Sequence, residues 1–159
     1  MPAHALLPEH DPPTLWERIR LHTSDIWLYL LAVIIGAIIM PVPFLGHRPG
    51  SAALADMDLW VSVGLAGGTV AGGTLALVGL LWIGHTESHG WTLEQSGCWL
   101  LTVMWFGYAV AVAESSPDSL TGIALVVILG FATFTRAAVV GYIEQRGRKQ
   151  TGRTGRKPK

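Results

Sequence analysis

The sequence is short of charged residues, has a single cysteine and lacks the motifs of enzymatic catalysis. Only 14% of its 159 residues are charged, half are apolar, and the mean hydropathy is +0.43. This balance does not suit a soluble globular protein, in which about a quarter of the residues are charged. Cys98 has no second cysteine to pair with, which excludes an internal disulfide. Because there is no phosphate-binding loop, no G-x-S-x-G motif and no nucleophile–base pair, we predict that the chain is not an enzyme and has neither catalytic residues nor cofactors.

Long apolar runs are what the sequence has instead. A helix of about 20 apolar residues crosses a hydrocarbon core of about 30 Å, and four runs have that length or nearly so. Only short polar connections separate them, so no part of the chain is long enough to form a separate soluble domain. The sequence therefore predicts an all-α, polytopic membrane protein whose four transmembrane helices form one domain, residues 26–143, with spans at 26–45, 59–83, 93–113 and 120–143.

The two ends of the chain differ from the spans in composition. In the N-terminal segment, residues 1–25, Thr14 and Glu17 have the spacing of a capping box, which predicts a short interfacial helix over residues 14–23. The C-terminal segment, residues 144–159, has seven Lys or Arg residues and predicts a disordered tail. We expect this tail to contact anionic lipid rather than nucleic acid, because it has no aromatic residues on which bases could stack.

The distribution of positive charge predicts the orientation. Lys and Arg concentrate in the two terminal segments, whereas the first loop has only Arg48 and the third loop has none. Four spans put both termini on one side, and the positive-inside rule places that side in the cytoplasm. We therefore expect a multi-pass membrane protein with both termini cytoplasmic and the lipid bilayer as a partner.

Small residues recur along the second span. Gly64, Gly68 and Gly72 lie four residues apart, and Ala76 continues the same side of the helix. Inside lipid, helices associate where small residues allow their backbones to come close. The spacing therefore predicts a helix-packing surface, either against another helix of the same chain or against a second copy as an oligomerisation surface.

Two histidines precede the third span. His85 and His89 are one helical turn apart with Glu87 between them, which is not the H-E-x-x-H arrangement of a metalloprotease. A catalytic metal would also need a third ligand. We interpret this stretch as a polar loop and predict no metal site, with a weak metal-binding or pH-responsive site as the alternative.

Two charged residues lie within or beside the spans. Arg136 is in the fourth span, about 24 Å from its start at Leu120 and so close to the cytoplasmic end. Its long side chain can extend to the headgroups, pair with Glu94 at the start of the third span, or line a water-filled path. The sequence leaves these three alternatives open.

Two stretches and one residue carry a resemblance to a known group of proteins. They are "LWERIRLHTSDIWLYLLAVIIGAIIMPVPFLG", "WTLEQSGCWLLTVMWFGYAVAV" and the arginine of the last span before the basic tail. In this layout the chain resembles the small four-span membrane proteins encoded near the lysis genes of actinobacterial phages, many of which are classed as holins. The resemblance implies a protein that accumulates in the cytoplasmic membrane, self-associates, and forms lesions that release or activate a wall-degrading endolysin.

The preferred prediction is a holin-like protein that oligomerises through the glycines of the second span and permeabilises the membrane during phage lysis. Its expected partners are further copies of the chain and an endolysin or other membrane protein. One alternative is a structural or accessory membrane subunit that docks a partner protein. Another is a small transporter, which is disfavoured because no span has a clearly central acidic residue to relay protons.

Overall fold

The fold consists of α-helices wherever the structure describes the chain. The computed structural model describes Trp16 and residues 19–20, 22–40, 58–82, 87–115 and 117–154, with side chains described up to residue 142 except those of residues 87, 88 and 115. Within these ranges there are four helices and no strand: α1 Thr23–Ile39, α2 Leu59–Leu80, α3 Glu87–Ser115 and α4 Leu120–Thr154. The predicted all-α class is confirmed.

Three of the helices are long and apolar enough to cross a membrane. Their apolar segments are Leu59–Leu80, His89–Glu114 and Leu120–Tyr142. The helix α1 has 17 residues and is apolar, but at 1.5 Å per residue it is only about 25 Å long. The described chain therefore has three helices of spanning length and one shorter apolar helix, an arrangement consistent with a membrane protein.

Local sequence explains where α2 begins and where α1 ends. Asp58 caps α2, because its Oδ1 accepts a hydrogen bond from the backbone N–H of Trp60 at 2.8 Å. The helix α1 ends at Ile39, and Met40 is already extended with ψ 120°. The next residue is Pro41, and a residue before proline is disfavoured in the helical region.

The helix α2 lies between α1 and α3, and the three run antiparallel to one another in turn. On the α1 side, Gly36 packs against Ala66 and Val70, and Gly73 packs against Tyr29 and Val33. A Cβ built on Gly73 would lie 2.9 Å from the carbonyl oxygen of Tyr29. Small residues on both helices therefore bring the α1 and α2 backbones together.

The interface between α2 and α3 is equally close. A Cβ on Gly97 of α3 would lie 2.6 Å from the carbonyl oxygen of Gly72, and a Cβ on Gly79 would lie 2.6 Å from the carbonyl oxygen of Gly90. No side chain fits at either place, so glycine is required by the close approach. The helix α4 then packs antiparallel on the far side of α3, where Phe106 meets Phe131 and Trp99 meets Phe134 in edge-to-face contacts.

The bundle has a filled interior and an apolar outer surface. Tyr29, Cys98, Leu101, Trp105 and Ala137 are among the buried residues at its centre. The outer side of α1 exposes four large apolar side chains at spacings of four, three and four: Trp27, Leu31, Ile34 and Ile38. An apolar surface of this kind is what lipid requires of a membrane protein.

Some predicted boundaries differ from those observed. The tail was predicted to be disordered from residue 144, but the backbone of α4 continues as helix to Thr154. There is no proline between Pro117 and Pro158, and a helix already formed extends more readily than a new one starts. The helix α3 also begins at Glu87, inside the stretch predicted as a polar loop. Residues 155–159 of the tail, half of the predicted interfacial helix and residues 41–57 of the first span and loop lie outside the described residues.

Candidate functional site

Polar side chains from three helices meet at one end of the bundle. Because successive helices are antiparallel, the start of α1, the start of α3 and the far part of α4 share that end. We call the group the charge cluster, and its members are His22, Asp25, Tyr29, Glu94, Cys98 and Arg136.

The centre of the charge cluster is an ion pair between α3 and α4. Arg136 Nη2 lies 2.7 Å from Glu94 Oε1, and Arg136 Nε donates to the same oxygen at 2.8 Å. The Glu94 side chain is only 5% exposed, and that of Arg136 is 22% exposed. The sequence left three alternatives open for Arg136, and the structure shows one of them, the pair with Glu94.

The same guanidinium also reaches α1. Arg136 Nη1 lies 3.3 Å from Oδ2 of Asp25, and His22 Nδ1 lies 3.3 Å from that same oxygen. Arg136 therefore joins two carboxylates that belong to different helices. Buried charges in a membrane protein are stabilised when they pair in this way, because an isolated charge in a medium of low dielectric constant is very costly.

Tyr29 connects the ion pair to the single cysteine. Its hydroxyl donates to Glu94 Oε1 at 3.2 Å and lies 3.1 Å from Cys98 Sγ. Both Tyr29 and Cys98 are completely buried. Glu94 Oε1 thus receives two N–H groups of a guanidinium and one phenol O–H, an arrangement that suits a carboxylate.

Four members of the charge cluster were not predicted as site residues. Asp25 and His22 were placed just outside the first span, Tyr29 inside it without a role, and Cys98 was considered only for disulfides. A signal was present in the spacing, since His22, Asp25 and Tyr29 are three and four residues apart and so share one face of a helix. That face points at α3 and α4.

The glycines predicted as a packing surface divide into two groups. Gly72 contacts Leu101 and Gly97, and Gly68 contacts Met104, all on α3 of the same chain. A Cβ built on Gly64 meets no atom within 4 Å. Gly68 and Gly72 therefore pack against another helix of the same chain.

A different side of α2 remains uncovered. We call it the outer face of α2, and its exposed residues include Trp60, Gly64, Ala71, Thr74 and Val78, with the exposed Leu75 beside them. Their spacings of three, four and seven residues place them along one stripe of the helix. Three of the five are small, unlike the large apolar side chains that α1 exposes.

Further hydroxyl and indole groups lie deeper between α3 and α4. The hydroxyls of Thr102 and Thr133 are 3.0 Å apart and buried. The indole N–H of Trp105, one turn further along α3, is buried and has no hydrogen-bond acceptor within the described ranges. These groups are aligned with Glu94 and Cys98 along α3 at spacings of three and four residues.

The two predicted loop histidines do not join this site. His89 is exposed in the first turn of α3, and His85 lies outside the described residues. Searched over the residues with described positions, the side chains form no group of three or more His, Cys, Asp or Glu that could hold a metal ion.

Comparison with known proteins finds no match of this chain to a family model, to a curated protein or to a solved structure. The function of the chain must therefore be inferred from the charge cluster, the interior packing and the outer face of α2.

Proposed function

We propose that the chain is a four-span protein of the bacterial cytoplasmic membrane, with α1 as its first span. Support comes from the position of α1, which packs along α2 between Gly73 and Ala66. The helix α2 is itself long enough to span the membrane. The exposed apolar stripe of α1 also fits lipid rather than water.

Both termini lie in the cytoplasm in this proposal. The charge cluster then lies at the cytoplasmic end of the bundle, beside the start of α1 and toward the basic end of α4. The seven Lys and Arg residues from Arg146 onward support this orientation by the positive-inside rule. The predicted interfacial helix over residues 14–23 would precede α1 on the same side.

The function we propose is holin-like permeabilisation of the membrane by an oligomer of this chain. The observation that carries the proposal is the outer face of α2, where Gly64 and Ala71 leave the backbone accessible within an otherwise bulky apolar surface. The interior of one chain is filled by Leu101, Trp105 and their neighbours. A lesion would therefore form between chains rather than through one.

The experiment is induced expression in a bacterial host while membrane potential and viability are followed, with and without a co-expressed endolysin. We expect a sudden loss of potential after a delay, with lysis only when the endolysin is present. Steady growth with an intact potential would contradict the proposal.

Matched variants locate the contact between chains. Ala71→Leu fills the outer face of α2, and Ala124→Leu makes the same change at an exposed position of α4. We expect only Ala71→Leu to reduce the oligomer size in lipid and to delay depolarisation. Equal behaviour of the two variants would contradict a role for the outer face of α2.

The same experiment also tests whether the chain is an accessory membrane subunit. Purification of the chain with one stoichiometric partner, released by Ala71→Leu and not by Ala124→Leu, together with normal growth, would indicate docking of another membrane protein. The small residues of the outer face of α2 would then contact that partner instead of a second copy.

A second candidate function is small-molecule or proton transport, and the charge cluster favours it. Asp25, Glu94 and Arg136 are ionisable groups within the helix bundle, and such groups commonly lie on ion pathways. Proton flux into liposomes containing the purified protein, reduced by Asp25→Asn while the fold is retained, would support transport. No flux above that of empty liposomes would exclude proton transport.

A further inference from the structure

The helix α1 is attached to the rest of the bundle in two different ways. Along its length it packs on α2, where Gly36 and Gly73 bring the two backbones together. The other extended interfaces between the described helices join α2 with α3 and α3 with α4. The start of α1 reaches α3 and α4 through the side chains of Tyr29 and Asp25. It is therefore held there by polar contacts rather than by extended packing.

Two contacts hold the start of α1, and we call them the clasp: the ion pair of Asp25 with Arg136 and the hydrogen bond from Tyr29 to Glu94. Arg136 Nη1 lies 3.3 Å from Asp25 Oδ2, and the Tyr29 hydroxyl lies 3.2 Å from Glu94 Oε1. Both distances exceed the 2.7 Å between Arg136 Nη2 and Glu94 Oε1, which joins α3 to α4. Because shorter contacts between charged groups are stronger, the clasp is the weaker part of the charge cluster.

Arg136 can release α1 without releasing α3. Its Nε and Nη2 groups contact Glu94, whereas Nη1 is the group that contacts Asp25. When Asp25 moves away, the guanidinium keeps both contacts with Glu94. Opening the clasp therefore leaves the buried Glu94 carboxylate with its charged partner, which avoids the large cost of a buried, unpaired charge.

The start of α1 also has hydrogen bonds of its own. The Thr23 hydroxyl lies 2.8 Å from the carbonyl oxygen of Ile19 and 3.1 Å from that of Arg20. The backbone N–H of Ile26 donates to the carbonyl oxygen of His22 at 2.9 Å. These bonds lie within one segment, so they are kept when the segment moves. The first turns of α1 can therefore separate from α3 and α4 as a formed helix, while the packing on α2 further along remains.

We propose that the start of α1 is a gate over the interior of the bundle and that the clasp keeps it closed. Beneath it lies Cys98, which is completely buried, with its sulfur 3.1 Å from the Tyr29 hydroxyl. When the gate opens, Tyr29 moves away with α1, and water reaches Glu94 and Cys98. Thr102 lies one turn deeper on α3 and donates to the Cys98 carbonyl oxygen. The gate thus admits water and small polar solutes to the polar side chains between α3 and α4.

Cys98 reports each opening of the gate. It is the sole cysteine of the chain, so none has to be removed or added. A buried thiol reacts with a reagent while it is exposed, so the alkylation rate measures how often the gate is open. Because the reaction takes place in the open state, a substitution in the clasp changes the rate through the opening rather than through the reactivity of the thiol.

The experiment compares alkylation by N-ethylmaleimide of the full-length protein and its variants in lipid nanodiscs at one pH. Asp25→Asn removes the carboxylate charge that Arg136 contacts. We expect the alkylation rate to rise about two- to fivefold, the range for a partly exposed ion pair. Asp118→Asn is the matched control, because it makes the same change at an exposed residue at the other end of the bundle. Equal rates for Asp25→Asn and Asp118→Asn would overturn the proposal.

Arg136→Lys tests whether one side chain holds both carboxylates. A lysine ammonium is a single compact charge, so it can pair with Glu94 but lacks the fork that reaches Asp25 at the same time. We expect faster alkylation of Cys98 than in the wild-type protein, while the resistance to unfolding by sodium dodecyl sulfate falls less than in Arg136→Met. A rate equal to that of the wild-type protein would contradict the bridging role of Arg136 in the clasp.

Should the variants fail to fold, the wild-type protein alone still decides the matter. A local opening exposes little surface, so its frequency changes little when sodium dodecyl sulfate is added in amounts that weaken the bundle without unfolding it. We therefore expect a nearly constant alkylation rate over that range. A rate that rises in step with global unfolding would refute the gate, because Cys98 would then react from the unfolded chain.

The side of entry gives an independent test. Because α4 leaves the bundle at the charge cluster, a membrane-impermeant methanethiosulfonate should reach Cys98 from the face that carries the C terminus. The vesicles hold at most a single chain each, so that no oligomer forms and the outcome does not depend on permeabilisation. Protease trimming of the tail marks the chains whose C terminus faces outward, and we expect the label on the trimmed chains. Label on the untrimmed chains, or on neither, would overturn the proposal.

Discussion

Arg136 Nη2 lies 2.7 Å from Glu94 Oε1, although 42 residues separate the two in the chain. The ion pair connects α3 with α4 at a depth where neither group can be fully hydrated. Arg136→Met would leave the Glu94 carboxylate buried without its partner, so we expect the free energy of unfolding to fall by about 3–5 kcal/mol. Unfolding by sodium dodecyl sulfate in mixed micelles measures this loss.

The matched control for Arg136→Met removes both charges. In Arg136→Met combined with Glu94→Leu no carboxylate is left unpaired on α3, so we expect much of the lost stability to return. A double variant as unstable as the sum of the two single variants would show that the pair is not the cause.

Glycine at the interface of α2 with α3 has a predictable effect on stability. A Cβ on Gly97 would lie 2.6 Å from the Gly72 carbonyl oxygen, so Gly97→Ala must push the two helices apart. We expect a loss of about 1–3 kcal/mol in the same unfolding assay. Gly64→Ala is the control, because a Cβ there meets nothing within 4 Å, and the expected change is close to zero or slightly stabilising.

The hydroxyl pair of Thr102 and Thr133 should contribute a measurable coupling energy. Their oxygens are 3.0 Å apart in the buried interface of α3 with α4. A double-mutant cycle with Thr102→Val and Thr133→Val is expected to give about 0.6 kcal/mol, the average for such bonds between membrane helices. The same cycle with Thr102→Val and Thr135→Val should give no coupling, because the Thr135 hydroxyl donates only to its own helix.

The buried hydroxyl of Tyr29 should contribute measurably to stability. Tyr29→Phe keeps the buried ring but removes the donor to Glu94 and the contact with Cys98. We expect a destabilisation of about 1–3 kcal/mol, since a hydrogen bond to a charged group in a buried site is lost. Thermal unfolding with and without the substitution is the measurement, and equal transition temperatures would contradict the hydrogen bond.

The sequence predicted the long helices well because their signal is local. The predicted spans 59–83, 93–113 and 120–143 correspond to α2, α3 and the first part of α4. Apolar runs of this length have few alternatives to a helix in a membrane. The first span is the exception, because α1 begins at Thr23 and ends at Ile39, earlier at both ends than the predicted 26–45.

The charge cluster could be predicted only in part. Helix length places Arg136 and Glu94 near the same end of the bundle, so their pairing was among the alternatives. Whether Arg136 faces α3 or lipid depends on how α4 is rotated about its axis, which a single apolar sequence does not determine. Asp25 was missed because it was counted with the N-terminal segment, although it lies in the first turn of α1.

The neighbours of the α2 glycines could also be predicted only in part. The spacing of Gly64, Gly68 and Gly72 predicted close helix packing without identifying the neighbour. The structure places Gly68 and Gly72 against α3, whereas Gly73, the residue after Gly72, packs on α1. Because consecutive residues of a helix point about 100° apart, a helix rich in glycine can approach two neighbours at once, and the sequence does not show which glycine meets which helix.

The order of the helices in the bundle has a consequence for biosynthesis. Each helix packs on the one synthesised just before it, so α2 can dock on α1, and α3 on α2, while the ribosome is still translating. Asp25 and Glu94 are synthesised before Arg136 exists. We therefore expect a nascent chain truncated before residue 136 to carry two carboxylates without their arginine, and the emergence of α4 to be the event that completes the bundle.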